Sequence, residues 1–258
     1  MPKFACCTWA LSGPEHETLG ALAALGFQWI DIRAGDFTAP ASRTRIQEVG
    51  LQLSCVGLSF ALPADVTLDS LDGSVRTAAV AAASAGLAQA AALGATTAYV
   101  VPGYDRSAPA LAAYGESLMT LAERGADAGI KIGIEHFPGR ALPTIAATLA
   151  YVREIGHPNL YLLFDIGHAQ LSGEDPVASI HAAGDRLGYV HLDDNDGQGD
   201  LHWALLDGLL TRATLRETLA ALDEVGYSGG VSLELSPQLP DPRAAIQQSW
   251  TLLQTLNK

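Results

Sequence analysis

The stretch LGATTAYVV, from Leu93 to Val101, contains the unit that is repeated along this chain. The alanine-rich run that ends at Leu93 predicts a helix. Gly94 suits the left-handed turn that closes helices, because glycine has no Cβ atom to clash. The apolar run that follows is typical of a strand buried on both faces of a parallel sheet. The stretch therefore predicts a helix, a tight turn and a buried strand in succession.

The same succession recurs from one end of the chain to the other. A helical run ends in glycine, and a strand-like run begins within a few residues, at Gly26, Gly50, Gly94, Gly129, Gly156, Gly184 and Gly226. Together with an N-terminal segment, these runs predict strands at residues 4–8, 29–32, 53–56, 97–101, 131–135, 161–165, 188–191 and 231–234. Strands that alternate with helices in this way predict an α/β fold, namely a single (β/α)₈ TIM barrel.

The length of the chain agrees with one such barrel. It has 258 residues, and a (β/α)₈ barrel typically needs about 250. No linker or low-complexity tract divides it, so residues 1–258 are predicted to form one barrel domain. An open doubly wound sheet is the rival arrangement, but it predicts a glycine-rich phosphate loop after an early strand. The first strand runs instead into TWALSG, residues 8–13.

Composition narrows the class of partner. The formal net charge is −13, from 28 acidic and 15 basic residues, which disfavours both nucleic acid and anionic membrane surfaces. The three cysteines Cys6, Cys7 and Cys55 form no disulfide or zinc pattern and suit a reducing compartment. The N-terminal apolar run is too short for a signal peptide. We therefore expect a cytoplasmic protein that binds a small molecule, and association with copies of itself stays open.

Each of the last four predicted strands ends in a residue that can bind a metal: Glu135, Asp165, His191 and Glu234. Active sites of such barrels form at the carboxyl ends of the strands. Any one of the carboxylates alone is equally explained as a helix cap or a surface charge, and a lone histidine at a strand end is more often structural than a ligand. Three carboxylates at one rim, however, would repel unless a cation or protons neutralised them. The set predicts one divalent ion, with Mn²⁺ favoured and Mg²⁺, Co²⁺ or Zn²⁺ as alternatives.

Three further polar residues follow two of these strands and are predicted to bind substrate. His168 comes three residues after Asp165, where the strand should turn into a helix. Asp200 and His202 lie in an acidic, glycine-containing loop and alternate with Leu201, so both could point the same way. The alternatives are a helix-cap role for His168, and metal contact or loop folding for Asp200 and His202.

These motifs together resemble those of a known family. The runs Gly133-Ile134-Glu135, Phe164-Asp165-Ile166-Gly167-His168, His191-Leu192-Asp193-Asp194-Asn195 and Leu233-Glu234 resemble the xylose isomerase-like TIM-barrel superfamily of sugar phosphate isomerases and epimerases, which includes D-tagatose 3-epimerases and inosose dehydratases. The resemblance implies that Glu135, Asp165, His191 and Glu234 hold one divalent metal. It also implies that Glu135 and Glu234 act as catalytic acid and base, and that His168 binds a substrate oxygen.

The resemblance implies a metal-dependent sugar isomerase or epimerase that works through a metal-stabilised enediolate. One glutamate would remove a proton beside the carbonyl, and the other would return it. The same residues permit loss of a β-hydroxyl, so a dehydratase or lyase acting on a keto-sugar or inosose is the alternative. Ketose epimerases of this family carry an arginine shortly after the metal-binding histidine, where this sequence has Asn195-Asp196-Gly197.

Two interpretations from other functional classes fit the sequence less well. Metal-dependent AP endonucleases share the barrel and an Asp-x-His pair resembling Asp200-Leu201-His202. They also need histidines at the ends of strands two to four, and this sequence has none there. The acidic net charge opposes DNA binding as well. A non-catalytic barrel predicts an incomplete ligand set, whereas the set here is complete.

Overall fold

Eight parallel strands close into a barrel and follow one another around it in sequence order. The computed structural model describes residues 2–256. The strands are β1 Lys3–Cys7, β2 Trp29–Arg33, β3 Gln52–Gly57, β4 Thr97–Val100, β5 Lys131–Glu135, β6 Leu160–Asp165, β7 Leu187–Leu192 and β8 Gly230–Leu233. Each begins and ends within one residue of its predicted position. The predicted TIM barrel is confirmed.

The helices lie between the strands along the chain. They are α1 Glu15–Ala24, α2 Ser42–Glu48, α3 Gly73–Leu93, α4 Ala108–Ala128, α5 Ile145–Ile155, α6 Ile166–Ser172, α7 Pro176–Ala183, α8 Arg212–Glu224 and α9 Pro242–Leu256. The glycines predicted to close helices all have positive φ, for example 87° at Gly94 and 70° at Gly129. Gly184 differs, because its ψ of −123° leads into a short 3-10 turn before β7.

The longest apolar stretch of the sequence forms α3. Its buried face is built from small residues and one leucine, Ala79, Ala83, Gly86, Leu87 and Ala90. The stretch is therefore a helix packed against the barrel, as predicted. Within residues 2–256, no helix is both long enough and apolar enough to span a membrane.

The barrel interior holds a small core of its own, distinct from the large core that unites strands and helices. It consists of Cys55, Tyr99, Leu163 and Tyr189. The rings of Tyr99 and Tyr189 stand edge-on to His191, with centroids 5.4 Å and 5.7 Å from the imidazole. Because these rings are fully packed, they give the carboxyl end of the barrel a rigid floor.

Candidate metal and substrate site

The four predicted metal ligands converge at the carboxyl end of the barrel. Glu135 ends β5, Asp165 ends β6, His191 lies in β7 and Glu234 directly follows β8. Parallel pairing sets Asp165 beside His191. One ligand atom from each of the four lies within 4.8 Å of the others, and the most exposed of these residues is only 7% accessible. We call these four residues the ligand cluster.

The ligand atoms face one another without completing hydrogen bonds. His191 Nδ1 lies 2.6 Å from Glu234 Oε2, 3.5 Å from Glu135 Oε1 and 3.9 Å from Asp165 Oδ2. His191 Nδ1, Asp165 Oδ2 and Glu234 Oε2 are nevertheless buried without a hydrogen bond of acceptable geometry. A buried polar atom left without a partner costs about 1–3 kcal/mol. Oxygen-rich ligand atoms aimed at a common point fit a divalent cation.

Asp165 divides its two oxygens between two tasks. Oδ1 accepts a hydrogen bond of 2.8 Å from the backbone N–H of His168 and so caps helix α6. Oδ2 remains in the ligand cluster. The helix-cap interpretation is therefore correct for one oxygen and leaves the other available for a metal. Behind it, the Asp165 backbone N–H donates to His136 Nε2 at 3.3 Å.

The carboxylates of the ligand cluster are stabilised by positive charge. Burial raises the pKa of Glu135. Burial would also raise the pKa of Glu234, but the neighbouring His191 outweighs it and lowers that pKa to about 2. For His191, burial acts to lower the pKa, and Glu234 and Glu135 together raise it well above its usual value. Three buried carboxylates around one imidazole are stable only with protons or a cation among them.

A second group of ligand-type residues lies beside the first, and we call it the loop cluster. It consists of His168 in α6, Asp193 directly after β7, and Asp200 and His202 in the loop that follows. Asp200 Oδ1 lies 3.3 Å from His168 Nε2 and 3.3 Å from His202 Nε2. His202 Nδ1 lies 2.7 Å from Asp193 Oδ2. The structure thus brings His168, Asp200 and His202 together. Ligand atoms of Asp193, Asp200 and His202 also lie within 4.8 Å of one another.

Charges in the loop cluster stabilise one another. Burial opposes the charge on His168, but the carboxylates of Asp165 and Asp200 raise its pKa to about 10. Burial also opposes the charge on His202, and Asp193 and Asp200 raise its pKa. Burial would raise the pKa of Asp200, but the neighbouring His168 and His202 outweigh it and lower that pKa. Burial, reinforced by Asp165, raises the pKa of Asp193 to about 7.

Asp193 was not singled out from the sequence. It is fully buried, and its carboxylate packs so closely on Gly167 that a Cβ atom at that position would clash with it. A signal was present, because Asp193 lies two residues after His191. Side chains alternate along a strand, which places both on the same side.

A cavity of about 570 Å³ opens onto these residues. Its size lies within the range of roughly 300–1,000 Å³ that is usual for small-molecule sites. Glu135, Glu234, His168 and His202 line it, whereas Asp165 and His191 are fully buried and Asp200 is not part of its wall. Trp9 lines it too, and its Nε1 donates a hydrogen bond of 3.0 Å to Glu234 Oε1.

Sequence reasoning also missed Asp31, a fully buried carboxylate in β2. Tyr189 Oη donates to its Oδ1 at 2.6 Å, and its Oδ2 lies 3.8 Å from His191 Nε2. Burial raises the pKa of Asp31 to about 6. The available signal was a carboxylate between the two isoleucines of the predicted strand at residues 29–32, since charged residues are almost never fully buried without a partner.

Comparisons with known proteins agree with this architecture. A family model described as "Xylose isomerase-like TIM barrel" matches residues 19–256. An L-ribulose 3-epimerase of Mesorhizobium japonicum is 27% identical over 88% of this chain and 78% of that protein. An inosose dehydratase of Geobacillus kaustophilus is 31% identical over 46% of this chain and 44% of that protein. The matched part spans only 41% and 43% of two further curated relatives.

The structural comparison extends over nearly the whole chain. A D-allulose 3-epimerase from Methylomonas sp., solved in complex with D-allulose, has a TM-score of 0.84. The match covers 98% of this chain and 96% of that one at 20% sequence identity. At this identity the likeness establishes the shared fold.

Proposed function

The chain belongs to the xylose isomerase-like TIM barrel family, and from this premise we propose that it is a divalent-metal-dependent sugar isomerase or epimerase. The observation that carries the proposal is the placement of two glutamates at the wall of one cavity, above two buried ligand-type residues. The similarity to an L-ribulose 3-epimerase supports a sugar as substrate. Mn²⁺ is the proposed ion, because the cluster is oxygen-rich and contains no thiolate.

Glu135, Asp165, His191 and Glu234 would hold the ion. A divalent cation, when bound, supplies positive charge beside the substrate oxygens on which negative charge develops. Asp165 and His191 are suited to holding it permanently, because both are fully buried. Glu135 and Glu234 also reach the cavity, so their carboxylates are available to substrate protons.

The two glutamates approach the cavity from different sides. Glu135 ends β5 and Glu234 follows β8, and two strands of the barrel stand between them. A proton taken from a substrate carbon by one carboxylate can therefore be replaced by the other on the opposite face, which inverts that carbon. Trp9 holds Oε1 of Glu234 and leaves Oε2 facing the cluster. General acid–base catalysis of this kind contributes roughly 10²–10⁴-fold to a rate.

His168 is the proposed donor to a substrate oxygen. Its Nδ1 lies 2.8 Å from the carbonyl oxygen of His136 and therefore carries a proton. Its Nε2 is buried without a completed hydrogen bond, 3.3 Å from Asp200 Oδ1, and is therefore available to a substrate oxygen. His202 lines the same wall and is oriented by Asp193 and Asp200. We propose that both histidines bind substrate and that Asp200 orients them.

Dehydration of a keto-sugar or an inosose is the second candidate. The similarity to an inosose dehydratase favours it, as does the absence of arginine at positions 195–197. The same glutamates would act, with the second protonating a departing β-hydroxyl group instead of a carbon. The two candidate reactions use the same residues. They differ in whether the second glutamate gives its proton to a carbon atom or to the departing hydroxyl group.

Solvent isotope exchange tests the proposal. Mn²⁺-loaded protein is incubated in D₂O with a panel of ketoses, 3-keto sugars and inososes, and NMR reports the labelled carbon. Label at a stereocentre identifies epimerisation, label at the adjacent carbon identifies isomerisation, and loss of water identifies dehydration. If no member of the panel exchanges or reacts although the metal is bound, the proposed function is wrong.

A further inference from the structure

Two arginines line the cavity without a carboxylate partner. Arg33 ends β2, and Arg140 lies in the segment between β5 and α5. Among residues 2–256, Arg76 is the one arginine with a carboxylate oxygen within 4.0 Å. Burial raises the pKa of Asp36 although the charge of Arg33 acts to lower it, and no oxygen of the Asp36 carboxylate lies within 4.0 Å of the Arg33 guanidinium group. The charges of Arg33 and Arg140 are therefore available to a ligand.

Aromatic rings hold both guanidinium groups in place. The Arg33 guanidinium carbon lies 5.3 Å from the ring centre of Trp9 and 4.8 Å from that of Phe60. The corresponding distances from Arg140 are 4.4 Å to Tyr104 and 5.0 Å to Phe137. Stacking fixes the plane of a guanidinium group and leaves its N–H edge free to bind an acceptor.

Part of that edge is buried and unused. The Nε atoms of Arg33 and Arg140 are both buried without a hydrogen-bond partner. Arg140 Nη1 donates to the carbonyl oxygen of Pro102 at 3.2 Å, which anchors the group without neutralising it. Since a buried donor without an acceptor is costly, the two arginines are prepared for an acceptor that the chain does not supply.

A single aromatic ring lies between each arginine and a residue of the proposed active site. Trp9 contacts Arg33 on its face and donates to Glu234 through its Nε1. Phe137 contacts Arg140 and packs on His168, with ring centroids 4.3 Å apart. Arg33 and Arg140 thus line the same cavity as Glu135 and Glu234, and one aromatic ring connects each arginine to that site.

We propose that the sugar substrate carries an anionic group, a carboxylate or a phosphate, which Arg33 and Arg140 bind. This inference rests on the proposed function and adds the substrate class. A neutral sugar has no need of an unpaired guanidinium group, whereas the planar N–H fork of arginine matches both oxyanions in bidentate geometry. Asp65 and Asp69 also line the cavity, so selectivity for the anion depends on where its charge lies relative to the arginines.

Equilibrium binding tests the inference without requiring turnover. Isothermal titration of the Mn²⁺-loaded protein uses D-fructose as the neutral probe, D-fructose 6-phosphate as the phosphate probe and 5-keto-D-gluconate as the carboxylate probe. We expect at least one anionic probe to bind about tenfold or more tightly than D-fructose, because a charge-assisted hydrogen bond contributes roughly 1.5–3 kcal/mol. The tighter anionic probe identifies the group that the substrate carries.

The variants Arg33→Gln and Arg140→Gln remove the charge and keep a polar side chain. Each should weaken binding of the anionic probe about tenfold and change D-fructose binding less than twofold. Arg45→Gln is the matched control, since Arg45 is exposed on α2 and does not line the cavity. Circular dichroism and thermal unfolding check that each variant is folded.

Three results would overturn the inference. These are equal affinity for neutral and anionic probes, equal weakening of both by the arginine variants, and the same loss in Arg45→Gln. The proposed function is tested separately by isotope exchange. Exchange on neutral sugars with no arginine effect would refute the anionic substrate and leave the enzyme assignment standing.

Discussion

The two halves of the barrel mouth are built from different chemistry. Strands β5 to β8 lead into carboxylates and a histidine, which meet in the ligand cluster. Strands β1 to β4 lead into aromatic and basic side chains, among them Trp9, Arg33 and Phe60, which form cavity wall. We infer that the second half performs the reaction, and that the first half contributes Arg33 and an aromatic wall to a substrate site completed by Arg140, His168 and His202 of the second half.

The largest effect is expected in the second half. Glu135→Gln or Glu234→Gln should lower kcat by about 10³-fold or more, because each removes a group that accepts or donates a proton. The measurement is deuterium exchange on the best substrate of the panel. Glu123→Gln, at an exposed position of α4, is the matched control and should retain full activity. Near-normal turnover in either cavity variant would refute the acid–base roles.

Two substitutions of Asp165 should distinguish the metal-binding role of Oδ2 from the helix-capping role of Oδ1. Asp165→Asn keeps a helix-capping side chain, whereas Asp165→Ala removes it. Both should lower Mn²⁺ affinity by roughly 100-fold or more, but only the alanine variant should also lose about 1 kcal/mol of unfolding free energy measured without metal.

Removal of the metal from the unchanged protein is the control for the Asp165 variants. Chelator should abolish activity and Mn²⁺ should restore it, with one ion bound per chain by elemental analysis. More than one tightly bound ion per chain would show that the loop cluster binds metal as well, and the division between the two halves would need revision.

Asp31 is the exception to the division between the two halves. It lies in β2, in the first half, and is expected to support metal binding by His191 in the second half. Its carboxylate faces His191 Nε2, while Nδ1 of that ring faces the ligand cluster. Carboxylates placed behind ligating histidines typically account for about 10–100-fold in metal affinity. Asp31→Asn should weaken Mn²⁺ binding by that amount in a direct titration. Tyr189→Phe, which removes one hydrogen bond to Asp31, should have a smaller effect in the same direction.

The smallest effect is expected from Trp9→Phe. The variant keeps an aromatic wall beside Arg33 and loses the hydrogen bond to Glu234 Oε1. An ordinary hydrogen bond contributes about 1 kcal/mol, so kcat should fall on the order of fivefold while Mn²⁺ affinity stays unchanged. A fall in metal affinity as large as that in Asp31→Asn would show that Trp9 acts on the ligands and not on proton transfer.

The sequence was most informative where the fold imposes a regular pattern. Buried parallel strands leave uninterrupted apolar runs, so all eight were located within one residue. The carboxyl ends of neighbouring strands meet at one rim, so Glu135, Asp165, His191 and Glu234 could be assigned to a common site. The reason was geometric and required no knowledge of distant contacts.

The rest depended on contacts between distant parts of the chain. Asp31 is explained by a hydrogen bond from Tyr189, 158 positions away. Trp9 is 9% exposed, and an aromatic residue of that kind cannot be told from core by its sequence. Arg33 is informative because no carboxylate oxygen lies within 4.0 Å of its guanidinium group, and that distance is set by the folded chain.

Pairing of β1 with β8 closes the barrel and sets Cys6 beside Leu233. The same closure brings the indole of Trp9 to Glu234, 225 positions further along the chain. Growth of the chain from β5 to β8 can collect the ligand residues, but Glu234 receives its hydrogen bond only when the first strand joins the last. The contribution of this hydrogen bond to the rate should therefore appear only when the barrel has closed.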